Sequence, residues 1–218
     1  MSAEPIHFRE GTYGIDDLHQ LRSAHPIVEE IDLLNDQLDE LAAIRMVDPT
    51  AFLPSEQREL RGDWFYVPWT QLLIHLVTQA EFDELRTNRN RNIIRSDEQT
   101  ALLNCRVAIA GLSIGANIAL SLARSGIAST LRLADFDYLE TTNLNRAPYP
   151  FYAVGRRKTQ AVRRALFDIT PFLDVELIED GVTAESVADF CDSQDLVFDE
   201  IDDLRMCCGS LKFPTLDH

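Results

Sequence analysis

An α/β fold is what this sequence predicts: a parallel sheet with helices on both faces over residues 86–218, behind a mainly helical, acidic N-terminal extension over 1–85. Three observations carry that expectation. Val107-Ala108-Ile109-Ala110 is a short, unbroken apolar run of the kind that forms a strand buried on both faces. A glycine turn, Gly111-Leu112-Ser113-Ile114-Gly115-Ala116, follows it directly and opens a helix-forming segment that stops at Ser125-Gly126. A second strand, Thr130 to Ala134, then ends on Asp135, 24 residues after Gly111. Strand, glycine turn, helix, strand and terminal acid make a Rossmann-like βαβ nucleotide-binding unit.

The residue types suit that use. Gly111 permits a tight turn, and the small residues Ser113, Gly115 and Ala116 let backbone approach a phosphate and helix pack on strand. The helix N-terminus offers free N–H groups to an anion. Asp135 is placed to take ribose hydroxyls. Ser113 stands where the G-x-G-x-x-G/A fingerprint has its second glycine. A tight strand-to-helix turn that binds nothing is the alternative reading of the glycines alone.

In chain order, residues 1 to about 25 show little periodicity and read as an irregular arm. Pro26 can start a helix, and Ile27, Ile31, Leu34, Leu38 and Leu41 recur behind it at three- and four-residue spacing, predicting an amphipathic acidic helix to about Met46. Pro49, Pro54, Gly62 and Pro68 punctuate the next stretch, with Trp64-Phe65-Tyr66-Val67 as a short aromatic strand. Leu72, Leu73, Leu76 and Val77 suggest another helix, His75 within it carrying no assigned chemistry. Thr78-x-x-Glu81 is a capping box opening a helix to about Arg86, and Ser96-x-x-Gln99 caps a short helix before the first sheet strand. Beyond Asp135 follow a helix from Gly155 to Asp168, a strand from Asp174 to Ile178, a helix from Ala184 to Cys191 and a strand from Asp195 to Phe198. Asp199 closes that last strand, at the end of a parallel sheet where ligands collect.

Composition narrows the partners. The net charge is -16, which opposes nonspecific binding to nucleic acid or to an anionic membrane. Its distribution is uneven: residues 87–164 hold 12 Lys+Arg against 5 Asp+Glu, a net of +7 that suits a polyanionic ligand, although Arg156, Arg157, Arg163 and Arg164 also fit a solvated helix face. No run approaches 18 apolar residues, and the N-terminal residues lack a signal-peptide pattern, so a cytoplasmic protein is expected. The four cysteines, Cys105, Cys191, Cys207 and Cys208, form no C-x-x-C pair and suit a reducing compartment without a zinc site.

Further motifs accompany the glycine turn. They are Asn90-Arg91-Asn92-Ile93, Asp135-Phe136-Asp137, Glu140-x-x-Asn143-Leu144-Asn145-Arg146, Gly155-x-x-Lys158, Ile169-Thr170-Pro171 and Leu196-Val197-Phe198-Asp199-Glu200-Ile201-Asp202. Together, over roughly residues 86 to 204, they resemble the ThiF/MoeB/HesA adenylyltransferases, relatives of the ubiquitin-activating enzymes. The resemblance implies adenylylation: a carboxylate joins the α-phosphate of ATP and pyrophosphate leaves. The carboxylate would be the C-terminus of a small ubiquitin-like or sulfur-carrier protein, and the enzyme a homodimer. Such chemistry needs triphosphate charge neutralised and the carboxylate oriented, with no protein nucleophile.

The resemblance also implies roles. Arg146 and Arg91 would clamp phosphates, Arg91 from a neighbouring subunit; Lys158 would place a point charge there and Asn143 a hydrogen bond. Asp199 would hold Mg2+, with Asp202 and Asp203 as solvated neighbours, and Asp135 and Asp137 would hold the ribose. From about residue 205 the sequence departs from the family pattern, which suggests a truncated chain or a fragment and gives Cys207 and Cys208 no role. Two other readings stay open: an NAD-dependent oxidoreductase, which shares the glycine turn and Asp135, and a catalytically inactive nucleotide-binding fragment.

Overall fold

The computed structural model describes residues 4–46 and 58–201. The atypical tail with Cys207 and Cys208, the acids Asp202 and Asp203, and Pro49 and Pro54 lie outside those residues. The chain divides into two compact units, Met1–Ser96 and Asp97–His218.

The first unit carries its helices on a four-stranded sheet, so the mainly helical expectation is met in part. Strands β1 (Ile6–Phe8), β2 (Glu29–Asp32), β3 (Asp63–Val67) and β4 (Leu72–Leu76) lie in the order β1-β3-β4-β2. The segment Leu72–Leu76, expected as a helix, is a strand because it forms an antiparallel hairpin with the aromatic strand, Phe65 opposite Ile74 and Tyr66 opposite Leu73. Gln71, at φ 57°, supplies the turn. Pairing also breaks the long acidic helix in two. Glu29–Asp32 runs parallel to β4, and only Leu34–Arg45 is helical, starting where Asp32 Oδ1 accepts the Leu34 N–H at 3.1 Å.

The N-terminal arm is ordered too. Ile15–Ala24 is a helix whose Leu18 and Leu21, three residues apart, are buried against Trp64, Tyr66 and Leu73. The Trp64 ring stacks on His75 at 4.0 Å, and the Arg22 guanidinium lies 5.1 Å from the Trp64 ring centroid. The expected aromatic strand is present. So is the helix after Thr78, Gln79–Thr87, with Glu81 returning its carboxylate to the Thr78 N–H at 3.2 Å.

The second unit is α/β, as predicted. Four parallel strands, β5 (Arg106–Ala110), β6 (Thr130–Ala134), β7 (Asp174–Ile178) and β8 (Leu196–Asp199), lie in the order β7-β6-β5-β8. Alternation along β5 decides what covers each face. Val107 and Ile109 face a core built with Leu131, Leu133 and the helices Gly115–Ser125 and Lys158–Phe167, while Ala108 and Ala110 face Ala134 and Phe190 of the helix Val187–Cys191. The chain winds outward from β5 through β6 to β7, then returns to place β8 on the other side of β5. That reversal opens a crevice at the carboxyl ends of β5 and β8.

Arg132 ties the second face together. Its Nε donates to Glu176 Oε2 at 2.6 Å, and its Nη1 donates to the carbonyls of Asp189, Phe190 and Asp192 at 2.9–3.1 Å, capping the last turn of Val187–Cys191. Arg132→Met, which keeps the stem and removes the cap, is expected to destabilise the chain by about 2 kcal/mol, read as a lower urea midpoint at constant m. Among the described residues no helix is long and apolar enough to cross a membrane.

Candidate functional site

At the crevice β5 delivers the chain into Gly111, whose N–H donates to Ala134 O at 2.9 Å. Gly111 has φ +87°, and a Cβ there would overlap the Glu200 peptide, 2.6 Å from its carbonyl carbon. Glycine is therefore required for both conformation and contact. At Gly115 a Cβ would lie 2.7 Å from Ile109 Cγ2, so this glycine seats the helix against its strand.

The intervening Leu112 is held from two directions. Its N–H donates to Asp135 Oδ2 at 2.7 Å, and its carbonyl accepts the Tyr149 hydroxyl at 2.8 Å. Burial, with the Asp135 charge as a lesser cause, pushes the Tyr149 phenol far up, so it stays a donor. The first N–H groups of the following helix have no partner within the helix, the condition that makes a helix start attractive to anions.

Asp135 ends β6 almost fully buried. Its Oδ1 accepts the Asp137 N–H at 2.8 Å, so both carboxylate oxygens serve the backbone. Asp137 presents the more open carboxylate, half exposed, and Lys158 Nζ reaches its Oδ2 at 2.7 Å and Asp135 Oδ2 at 3.7 Å. The Lys158 ammonium, on a side chain only 8 % exposed, thus bridges the two acids. Its backbone is fixed as well: Lys158 N donates to Asp137 O at 3.0 Å, and Leu139 and Gly155–Arg156 exchange backbone hydrogen bonds beside it.

Across from the lysine, Gly181 at φ +75° leaves room for the Phe136 ring, which a Cβ would approach to 2.9 Å. These residues enclose one cavity of about 430 Å³, lined by Gly111, Leu112 and Ser113, by Asp135 to Asp137 and Lys158, and by Gly181 to Thr183 with Glu200 and Ile201. Asp135, Asp137 and Lys158 give the lining its charge. Phe136, Val182 and Ile201 add apolar surface to the same lining.

The structure thus gathers Gly111, Ser113, Asp135, Asp137 and Lys158 around one space, with Gly115 directly behind. Arg146 stands beside the loop: its Nε donates to Ser113 Oγ at 3.1 Å, its Nη1 to Thr142 O and Asn145 Oδ1, and its own carbonyl accepts Asn117 Nδ2. Asn143 is buried outside the cavity lining, where its Oδ1 accepts the Glu140 N–H at 2.9 Å and shapes the turn that leads to Arg146. Asp199 is exposed at the end of β8, its Oδ1 accepting the Ile201 N–H, while the neighbouring Glu200 lines the cavity. Arg91 belongs to the first unit and pairs with Glu84 at 3.1 Å.

Sequence reasoning missed Tyr149, Phe136 and Gly181. Phe136 lies between the two singled-out acids, and Gly181 follows the third parallel strand closely, so the offset from strand ends was the available signal. Tyr149 had none, since its partner is 37 residues away. Burial raises the pKa of the Cys105 and Cys191 thiols, which leaves neither activated as a nucleophile.

The donor chemistry suits a magnesium nucleotide. Mg2+ held largely by phosphate oxygens asks only one or two hard carboxylate ligands of the protein, and Asp199 offers an exposed one. Among the described residues no cluster of three or more His, Cys, Asp or Glu forms an all-protein metal cage.

Comparison with known proteins follows the same residues. The chain is 37% identical over 190 residues to the uncharacterized protein MT1398 of Mycobacterium tuberculosis, covering 86% of this chain and 25% of that one. It is 32% identical over 131 residues to the sulfur carrier protein ThiS adenylyltransferase of Escherichia coli, covering 56% and 52% respectively. Among solved structures it resembles E. coli tRNA N6-threonylcarbamoyladenosine dehydratase in complex with ATP, with a TM-score of 0.53, 25% identity, 58% of this chain and 52% of that chain covered. The chain therefore spans between a quarter and about half the length of these relatives. The ThiF family model matches residues 87–207, which take in the glycine loop, both acids, Arg146 and Lys158, and the chain belongs to the ThiF family.

Proposed function

We propose that this chain binds ATP in the cavity at the carboxyl end of its parallel sheet and adenylylates a carboxylate. The observation that carries the reading is Lys158, buried against two acids at the mouth of a glycine loop. Both Asp135 oxygens accept backbone N–H groups with lone pairs to spare, and a cation stands beside them. The half-exposed Asp137 with Asp135 behind it would take the ribose, the side lined by Phe136 the base, and the glycine loop with Lys158 the phosphates.

In the reaction, a carboxylate oxygen attacks the α-phosphorus and the bond to the pyrophosphate oxygen breaks. No proton need move. Arg146 would release the Ser113 hydroxyl to meet the charge that develops on the phosphates, while Asn143 holds the turn that aims it. Mg2+ would screen the triphosphate, with Asp199 as its protein ligand. In a homodimer, Arg91 of one copy would serve the phosphates of the other. The relatives' names point to the substrate class: ThiS is a sulfur carrier, and a ubiquitin-like modifier-activating enzyme from Caenorhabditis briggsae is 26% identical over 162 residues. We assign the carboxylate to the C-terminus of a small carrier of that type.

Exchange of labelled pyrophosphate into ATP tests this. The full chain with magnesium and a carrier protein ending in Gly-Gly is expected to exchange label, and Arg146→Ala to lower the rate about 10²-fold. ATP binding without exchange for any carrier would instead support an inactive nucleotide-binding chain.

A further inference from the structure

We infer that Tyr149 is a positioning residue for phosphate binding, fixing from behind the cavity the direction of the Ser113 N–H. The inference rests on the ATP reading above. Tyr149 lies between Pro148 and Pro150, is 8 % exposed, and does not line the cavity, whereas Ser113 does. Its hydroxyl donates to the Leu112 carbonyl at 2.8 Å. In a trans peptide the carbonyl and the next N–H point in opposite directions, so holding the Leu112 carbonyl toward Tyr149 turns the Ser113 N–H away from it.

Other restraints on Leu112 do not do this. Asp135 holds the Leu112 N–H, which belongs to the preceding peptide, and the fully buried Leu112 side chain anchors the Cα. The Leu112–Ser113 peptide can still rotate between those anchors. Burial and the Asp135 charge keep the phenol protonated, so the restraint persists at any ordinary pH. Without the hydroxyl, the buried carbonyl would lack a donor and could turn toward the cavity, where it would face phosphate as an acceptor.

Tyr149→Phe removes only the hydroxyl and keeps the ring. Titrations of the wild-type chain and the variant with magnesium-ATP and with adenosine separate positioning from packing. The expected result is about a tenfold loss of ATP affinity, the size of one lost buried hydrogen bond, with adenosine affinity unchanged within about twofold. Amide hydrogen exchange at Ser113 to Ala116 in the ligand-free chain is expected to accelerate. A variant that binds both ligands as the wild type does, or loses both equally, overturns the inference. A wild type that binds ATP no better than adenosine overturns the ATP reading itself, and shows this before the variant is compared.

Discussion

Gly111→Ala is expected to destabilise the chain by about 2–4 kcal/mol and to abolish ATP binding. Two costs combine. A non-glycine residue at φ +87° pays about 1–2 kcal/mol for the left-handed conformation, and the new methyl would overlap the Glu200 peptide. That neighbour is backbone at the end of β8, where Glu200 N donates to Ala110 O at 2.8 Å, so it cannot move without disturbing strand pairing. Gly155→Ala provides the control. Gly155 has the same φ, but a Cβ there would meet nothing within 4 Å, so only the conformational cost of about 1–2 kcal/mol is expected. Urea unfolding of the two variants measures the difference, and a Gly111→Ala chain as stable as Gly155→Ala would refute the close approach of loop and strand.

The second large effect is on binding. Lys158→Gln keeps much of the side-chain length and removes the charge, and if the ammonium serves phosphates as proposed, ATP affinity is expected to fall about 10²-fold while adenosine affinity changes little. Lys158→Arg is not expected to restore it, since a planar fork cannot occupy a pocket that holds a compact ammonium between Asp135 and Asp137. The ligand-free chain should lose only about 1 kcal/mol in Lys158→Gln: Asp135 keeps its two backbone donors, and Asp137 is half exposed and solvated. Calorimetric titration of ATP and adenosine into each variant provides the comparison. Equal weakening of the two ligands would remove Lys158 from the phosphates.

What was legible in the sequence follows from where the signals lie. β5 announces itself as a continuous apolar run of the kind that forms a buried parallel strand, and the glycine turn marks where it ends, while β6, interrupted by Arg132, shows by its place after the helix stop at Gly126. The acid at the end of β6 follows at the spacing that sheet geometry imposes. The first unit was harder for a physical reason. Leu72 to Val77 is six residues long, too short for periodicity to separate a buried strand from a helix, and its pairing with Asp63–Val67 decided the outcome. Glu29–Asp32 is acidic and mostly exposed, an edge strand whose composition argues for helix or loop until β4 is there to pair with it.

Within the site, residue types with charge or unusual backbone were visible, while their partners were not. Nothing local shows that Asp135 gives both oxygens to the backbone N–H groups of Leu112 and Asp137. Nor does spacing show that Asn143 builds the turn before Arg146, or that Tyr149 reaches back to the glycine loop. These depend on contacts that exist only after the sheet has assembled.

The most direct measurement is the thermal shift of the full chain with magnesium-ATP and, separately, with NAD. A ligand that binds only the folded state raises its stability by RT ln(1 + [L]/Kd), about 2.7 kcal/mol at a hundredfold excess over Kd. The account predicts that ATP raises the melting temperature in a concentration-dependent way, that NAD does not, and that Lys158→Gln removes most of the ATP effect. Stabilisation by NAD alone, or by neither nucleotide, would contradict it.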